Sequence, residues 1–278
     1  MNIQRLAAFS QGNEGGNPAG VVLLADPATE ADMARVAADV GYSETAFAVA
    51  LDDTKRHWRV RYFSPESEVP FCGHATIALG AALGMTAGEG TFHLQLNNTS
   101  ITVDAQSSEA GMVAKLSSPE TSSHAISAEE LSDMLQLFGL DHADLDVRLA
   151  PARIHGGADH IVLPLKNRST LASMQYDLAQ GRTVMRAHDI VTVMLVYIED
   201  NQSFVVRNAF ASGGVLEDPA TGAAAAAFAG YLRDAAWPHG GQFTIHQGED
   251  MGSPSIIKVK LDDEPGASVS VSGSVRVM

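Results

Sequence analysis

Gly73-His74-Ala75-Thr76-Ile77-Ala78-Leu79-Gly80-Ala81-Ala82-Leu83-Gly84-Met85 is the stretch whose reading decides the fold. Small and apolar residues occupy every face of it, and no Asp, Glu, Lys or Arg interrupts them. A helix that is apolar all round has no face to offer water, so it is buried on all sides. A second helix of the same kind is predicted over Pro219 to Arg233. The apolar runs Ala75–Ala87 and Gly222–Leu232 are both shorter than the ~18 residues of a membrane span, so they read as buried helices and no membrane partner is expected. Each helix follows a strand carrying an arginine and then a phenylalanine, Arg61 and Phe63 in one half, Arg207 and Phe210 in the other. The same unit written twice predicts two pseudo-symmetric domains, each a buried helix wrapped by strands.

Working outward, the local signals fit an α+β chain. Thr29 to Val40 has helical periodicity, with Thr29 as N-cap and Gly41 as the stop. Ser127 to Phe138 opens on a capping box, Ser127 with Glu130. Strands are expected over Glu44–Leu51, His57–Phe63, Ile190–Ile198 and Ser203–Phe210, and a helix around Leu171 to Gln180. Ser117 to Ser127, rich in serine and containing Pro119, reads as a linker. The expected division is an N-terminal domain over 1–116, joined by a terminal strand within 266–278, and a C-terminal domain over 117–265.

The bulk numbers exclude several classes. A net charge of −15 on 278 residues repels phosphate backbones, so nucleic acid is not an expected partner. The one cysteine, Cys72, forms no internal disulfide and no cysteine-rich zinc site. The N-terminus lacks the apolar core of a signal peptide, so a cytoplasmic location is expected.

Chemistry concentrates at the two helix starts. Asp218-Pro219 reads as a cap followed by proline at the first helical position. The backbone N–H groups of Ala220, Thr221 and Gly222 would then face out of the helix end, where the macrodipole favours an anion. Cys72-Gly73-His74 opens the other helix, and Gly73 lets a ligand approach the backbone closely. Glu44, in Gly41-Tyr42-Ser43-Glu44-Thr45-Ala46-Phe47, is a carboxylate set into an apolar stretch. His155, Asp159 and His160 precede a strand without metal-ligand spacing.

Five motifs occur in order: Asn17-Pro18-Ala19-Gly20, Ser43-Glu44-Thr45-Ala46-Phe47, Phe63-Ser64-Pro65, Pro70-Phe71-Cys72-Gly73-His74-Ala75-Thr76 and Glu217-Asp218-Pro219-Ala220-Thr221-Gly222. A sixth comprises Gln247-Gly248, Met251-Gly252 and Pro254-Ser255. Together they resemble the PhzF-like family, named for a phenazine-biosynthesis isomerase, across nearly the whole chain. The resemblance implies the diaminopimelate-epimerase-like fold: two domains, each a strongly curved, mostly antiparallel sheet around a central helix, with the active site in the cleft between them.

It also implies roles. Glu44 becomes the acid/base; Gly73, His74 and Asp218, with the N–H groups of Ala220, Thr221 and Gly222, bind the substrate. No metal and no organic cofactor are implied, and a homodimer is. The reaction implied is a proton moved between carbons of a small carboxylated metabolite. Two alternatives stand beside it: an epimerase or racemase of a small acid or amino acid, and a non-catalytic metabolite-binding protein on the same scaffold. Epimerases of this fold that use two thiols need one at each helix start; Cys72 stands at the first, and Pro219 is taken as the second position. Ala223 and Ser253 depart from the family pattern, each removing a polar group near the expected pocket.

Overall fold

The computed structural model describes residues 1–109 and 111–278. These separate into two compact units, Met1–Ser117 with Ser272–Met278, and Ser118–Val271.

The first unit runs β1 (Gln4–Ala8), β2 (Asn17–Leu24), α1 (Glu30–Val40), β3 (Thr45–Ala50), β4 (His57–Phe63), β5 (Glu68–Val69), α2 (Gly73–Ala87), β6 (Gly90–Gln95), β7 (Ser100–Ser108) and β8 (Gly111–Ser117). Two parallel pairings, β2 with β3 and β4 with β6, are bridged by α1 and α2; β1 with β2, β3 with β4, β6 with β7 and β7 with β8 are antiparallel. The sheet curves round α2, which packs against β1, β2, β3, β6, β7 and β8. Every residue of α2 from Gly73 to Gly84 is buried, as an all-apolar helix requires. Gly80 allows the close approach to the sheet: a Cβ there would sit 2.5 Å from Val103 Cγ2. α1 covers the outer face, setting Met33, Val36 and Ala37 against Val22, Phe47 and Phe63. Its caps are Thr29, whose hydroxyl accepts from the Asp32 N–H, and Gly41 at φ 72°.

The second unit runs β9 (Ser122–Ala125), α3 (Ala128–Phe138), β10 (Ala152–His155), β11 (Asp159–Leu165), α4 (Arg168–Ala172), α5 (Leu178–Ala187), β12 (Thr192–Ile198), β13 (Ser203–Ala209), β14 (Glu217–Asp218), α6 (Gly222–Asp234), β15 (Gln242–Gln247) and β16 (Ser255–Lys260). The C-terminal strand β17 (Ser270–Val277) pairs with β1. The plan of the first unit recurs: β11 and β12 are parallel and bridged by helices, and β13 and β15 are parallel and bridged by the buried α6. Outside, α3, α4 and α5 bury Met134, Leu137, Leu171 and Met185 against Leu163, Val193 and Leu195. Among the described residues, no helix is long and apolar enough to cross a membrane.

Several expectations change. The Ser117–Ser127 segment is no plain linker, because β9 lies inside it and pairs with β10. The single helix around Leu171–Gln180 is two, broken between Ala172 and Leu178, where Asp177 caps a new start by accepting from the Gln180 N–H. Most consequential, α6 begins at Gly222 rather than Pro219, with Thr221 as its N-cap. Asp218 does not cap the helix, because Glu217 and Asp218 are claimed by a ladder with Ala209 and Asn208.

Ladder registers align the two units residue by residue. Arg61 lies opposite Phe47 and Phe63 opposite Glu68; Arg207 lies opposite Leu195 and Ala209 opposite Glu217. Counting outward, Glu44 corresponds to Thr192, Tyr62 to Asn208, Cys72 to Thr221 and His74 to Ala223. The counterpart of Cys72 is therefore Thr221, not Pro219.

Candidate active site

Glu44 sits where the chain leaves α1 and enters β3. Gly41 ends the helix in the left-handed region, and the Glu44 carbonyl accepts from the Gly20 N–H at 3.2 Å, pinning the turn to β2. Its side chain is only 12% exposed, and Oε2 lies 3.4 Å from His74 Nε2. Ser43 Oγ is also 3.4 Å from that nitrogen. His74, on the first turn of α2 and itself buried, has Nδ1 at 3.3 Å from Cys72 Sγ. Glu44, Gly73 and His74 thus come together in one unit, and sequence reasoning missed the contacts of Ser43 and Cys72. Cys72 is buried and is a polar neighbour of the imidazole.

The start of α2 is held from below. Thr76 Oγ1 donates to the Cys72 carbonyl at 2.7 Å, and the same hydroxyl lies 2.7 Å from the Tyr62 hydroxyl. Burial pushes the Tyr62 phenol well above its ordinary value, so it stays a neutral hydroxyl. The approach to the helix is clamped too. Arg61 Nε donates to Glu68 Oε1 at 2.7 Å, tying β5 to β4. That bond raises the arginine and lowers the carboxyl.

The second unit repeats the clamp with deeper burial. Arg207 Nε donates to Glu217 Oε1 at 3.0 Å and a terminal nitrogen to Oε2 at 2.6 Å. The Arg207 and Glu217 side chains are 11% and 6% exposed, against 23% and 20% for Arg61 and Glu68. Beyond this clamp, the buried Asp218 accepts a short hydrogen bond from the Thr221 hydroxyl. Gln247 Nε2 donates to the Asp218 carbonyl at 2.7 Å, and Gln247 Oε1 accepts from the Thr221 N–H at 3.2 Å. The Thr221 N–H is therefore already engaged within the protein. It is not open to an anion as the Pro219 start implied. Gly222 opens α6, and Ala220 is fully buried just before it.

Gln247, which joins Asp218 to Thr221 in the second unit, has no role in the sequence reading beyond the Gln247-Gly248 motif. A signal existed: along β15 the inward positions are Phe243, Ile245 and Gln247, so an amide stands where a third apolar side chain is expected.

His160 lies on the same unit's sheet, fully buried, with Nδ1 2.7 Å from Thr192 Oγ1. Burial lowers its pKa to about 3, so the ring is neutral. His155 and Asp159 pair with each other at 2.8 Å.

A curved sheet round a buried helix, built twice, is the frame of the diaminopimelate-epimerase-like α+β proteins. The family model described as phenazine biosynthesis-like protein matches residues 6–278, and the chain belongs to that family. The chain is 31% identical to an uncharacterized isomerase of Deinococcus radiodurans over 92% of this chain and 85% of that protein. It is 26% identical to the trans-2,3-dihydro-3-hydroxyanthranilate isomerase of Pseudomonas fluorescens, over 98% and 95% of the two chains. The PhzF-family phenazine biosynthesis protein of Bacillus anthracis superposes with a TM-score of 0.86 at 22% identity, covering 99% and 96%. A probable proline racemase of Agrobacterium radiobacter shares the fold, with a TM-score of 0.68 at 11% identity over 99% and 90%. The chain is an isomerase by this membership.

Proposed function

We propose that the chain is a cofactor-independent isomerase that moves a proton between carbons of a small carboxylated metabolite, with Glu44 as the acid/base. The observation that carries this reading is the placement of His74 Nε2 3.4 Å from the largely buried Glu44 carboxylate. A carboxylate that takes a proton from one carbon and returns it to another must hold a fixed position and be shielded from bulk water. His74 holds it, Ser43 braces the imidazole, and the Gly20 contact fixes the Glu44 backbone. The register counterpart of Glu44 is the hydroxyl of Thr192, and that of His74 is Ala223, which favours one carboxylate as the proton carrier.

Substrate contacts fall to Gly73, His74, Asp218 and the first turn of α6 from Gly222, with Ala220 and Thr221 shaping the approach. Asp218 and Thr221 act as a bonded pair, so the aspartate presents a fixed hydrogen-bonded oxygen rather than a free base. The relative from Pseudomonas fluorescens supplies the first compound to try, trans-2,3-dihydro-3-hydroxyanthranilate. Ala223 and Ser253 make other small carboxylated metabolites equal candidates.

The test is proton exchange. Candidate acids incubated with the enzyme in deuterated water should acquire deuterium at carbon together with a shifted double bond, and Glu44→Gln should suppress both. Deuterium at a stereocentre without bond migration would support an epimerase instead. Binding without any exchange into carbon would make the chain a metabolite-binding protein.

A further inference from the structure

Three donor atoms of different chemistry converge at the start of α2. A carboxylate oxygen of Glu44, an imidazole nitrogen of His74 and Sγ of Cys72 lie within 4.8 Å of one another, all largely buried. His74 Nε2 is 3.4 Å from Glu44 Oε2 and 4.0 Å from Cys72 Sγ. A tetrahedral zinc ion, with bonds of about 2.0 Å to nitrogen and oxygen and 2.3 Å to sulfur, holds its donors roughly 3.3–3.7 Å apart. Small side-chain rotations therefore close this cluster on such an ion.

We propose that Glu44, Cys72 and His74 form a zinc-binding site, and that zinc bound there reversibly inhibits the isomerase. The donor set selects the metal. Magnesium and calcium prefer oxygen ligands, whereas one nitrogen, one thiolate and one carboxylate suit zinc and similarly soft divalent ions. Electrostatics point the same way. Zinc takes the thiol as a thiolate and releases its proton on binding. A thiolate beside a carboxylate, with a single imidazole between them, gathers negative charge in a buried place, and a divalent cation neutralises it. Three protein ligands leave the fourth zinc position for water or a substrate carboxylate.

The register counterparts in the second unit are Thr192, Thr221 and Ala223, two hydroxyls and a methyl. That set offers no comparable donors, so the expected stoichiometry is one zinc per chain. Binding stands on the geometry alone. The inhibition rests on Glu44 being the acid/base, because a carboxylate held by zinc cannot carry the proton.

The test uses the full chain, stripped of metal and kept reduced with a non-chelating phosphine. Zinc titrated against a chromophoric chelator should bind once per chain, micromolar or tighter, with proton release. Cobalt in place of zinc should show a thiolate-to-cobalt charge-transfer band in the near ultraviolet. Cys72→Ser should remove that band and weaken zinc by at least about tenfold. No micromolar binding, or a cobalt complex of the wild-type chain without the band, overturns the site. Because that spectrum is read on the wild-type protein, a misfolded variant cannot obscure the answer. Zinc that binds with the band but leaves turnover unchanged overturns the inhibition; Glu44→Gln turnover without metal tests the acid/base separately.

Discussion

The two units use one plan and differ where chemistry is done. Around α2, the helix start carries Glu44, Cys72 and His74. The same register positions around α6 carry Thr192, Thr221 and Ala223. The scaffold features match: each unit has a two-residue strand clamped by an arginine–glutamate pair, and each clamp leads into a buried helix. The difference teaches that the clamp and the buried helix recur with the scaffold, while the groups at the helix start do not. In the first unit they are titratable; in the second, Thr221 bonds to the Asp218 carboxylate and the Gln247 amide, Thr192 bonds to His160, and Ala223 offers only a methyl.

The largest effect that separates the units is in the clamps. Arg207→Met leaves Glu217 buried without its cation and should cost about 3–5 kcal/mol. Arg61→Met, at the more exposed pair, should cost about 1 kcal/mol or less. Urea denaturation midpoints read the contrast, and equal losses would break it. Next comes His74→Ala against Ala223→Ser. Loss of the group that holds Glu44 should lower kcat by about tenfold to a hundredfold. The change in the second unit should leave kcat within about threefold.

A third contrast is the acid response. His160 is held neutral, with its folded pKa at about 3, below the unfolded value of about 6.5. The unfolded chain therefore binds a proton that the folded chain does not. Stability contributed by His160 is present above the unfolded pKa and falls as pH drops from there toward the folded value, by up to about 1.4 kcal/mol per pH unit. Nearby Asp159 raises and His155 lowers the same group, and burial outweighs both. Replacing His160 with asparagine should flatten the stability-versus-pH curve between pH 7 and pH 5, read by denaturation at each pH. An unchanged slope would assign the acid sensitivity elsewhere.

The smallest contrast compares Tyr62 with its counterpart Asn208. Tyr62 has the Thr76 hydroxyl as partner, whereas neither amide atom of the fully buried Asn208 has a hydrogen-bond partner among the described residues. Tyr62→Phe should lose about 1 kcal/mol, while Asn208→Leu should be neutral or stabilising by up to a similar amount. A large loss at Asn208 would show that its amide supports the sheet in a way the geometry does not explain.

Much of this plan was legible in the sequence, and the failures have particular causes. The buried helices could be read because apolarity all round has one structural meaning. The caps Thr29, Gly41 and the Ser127–Glu130 box could be read because capping is local. The start of α6 misled because Asp218-Pro219 is a strong local cap signal, while the competing ladder with Asn208 and Ala209 is long-range. The same ladder gives the register that moves the counterpart of Cys72 from Pro219 to Thr221. Strand β9 hid in a serine-rich stretch because its pairing with β10 comes from residues some thirty positions away. At the candidate site, motifs named Glu44, Gly73 and His74. The bonds of Ser43, Cys72 and Gln247 depend on tertiary geometry that spacing does not encode.

The most direct measurement of the central claim is the turnover of Glu44→Gln beside that of Thr192→Val, each on a substrate the wild-type chain converts. General acid/base loss at Glu44 should lower kcat by about a hundredfold to ten-thousandfold, while Thr192→Val stays within about tenfold. A Glu44→Gln enzyme that turns over at a rate close to the wild type would contradict the account.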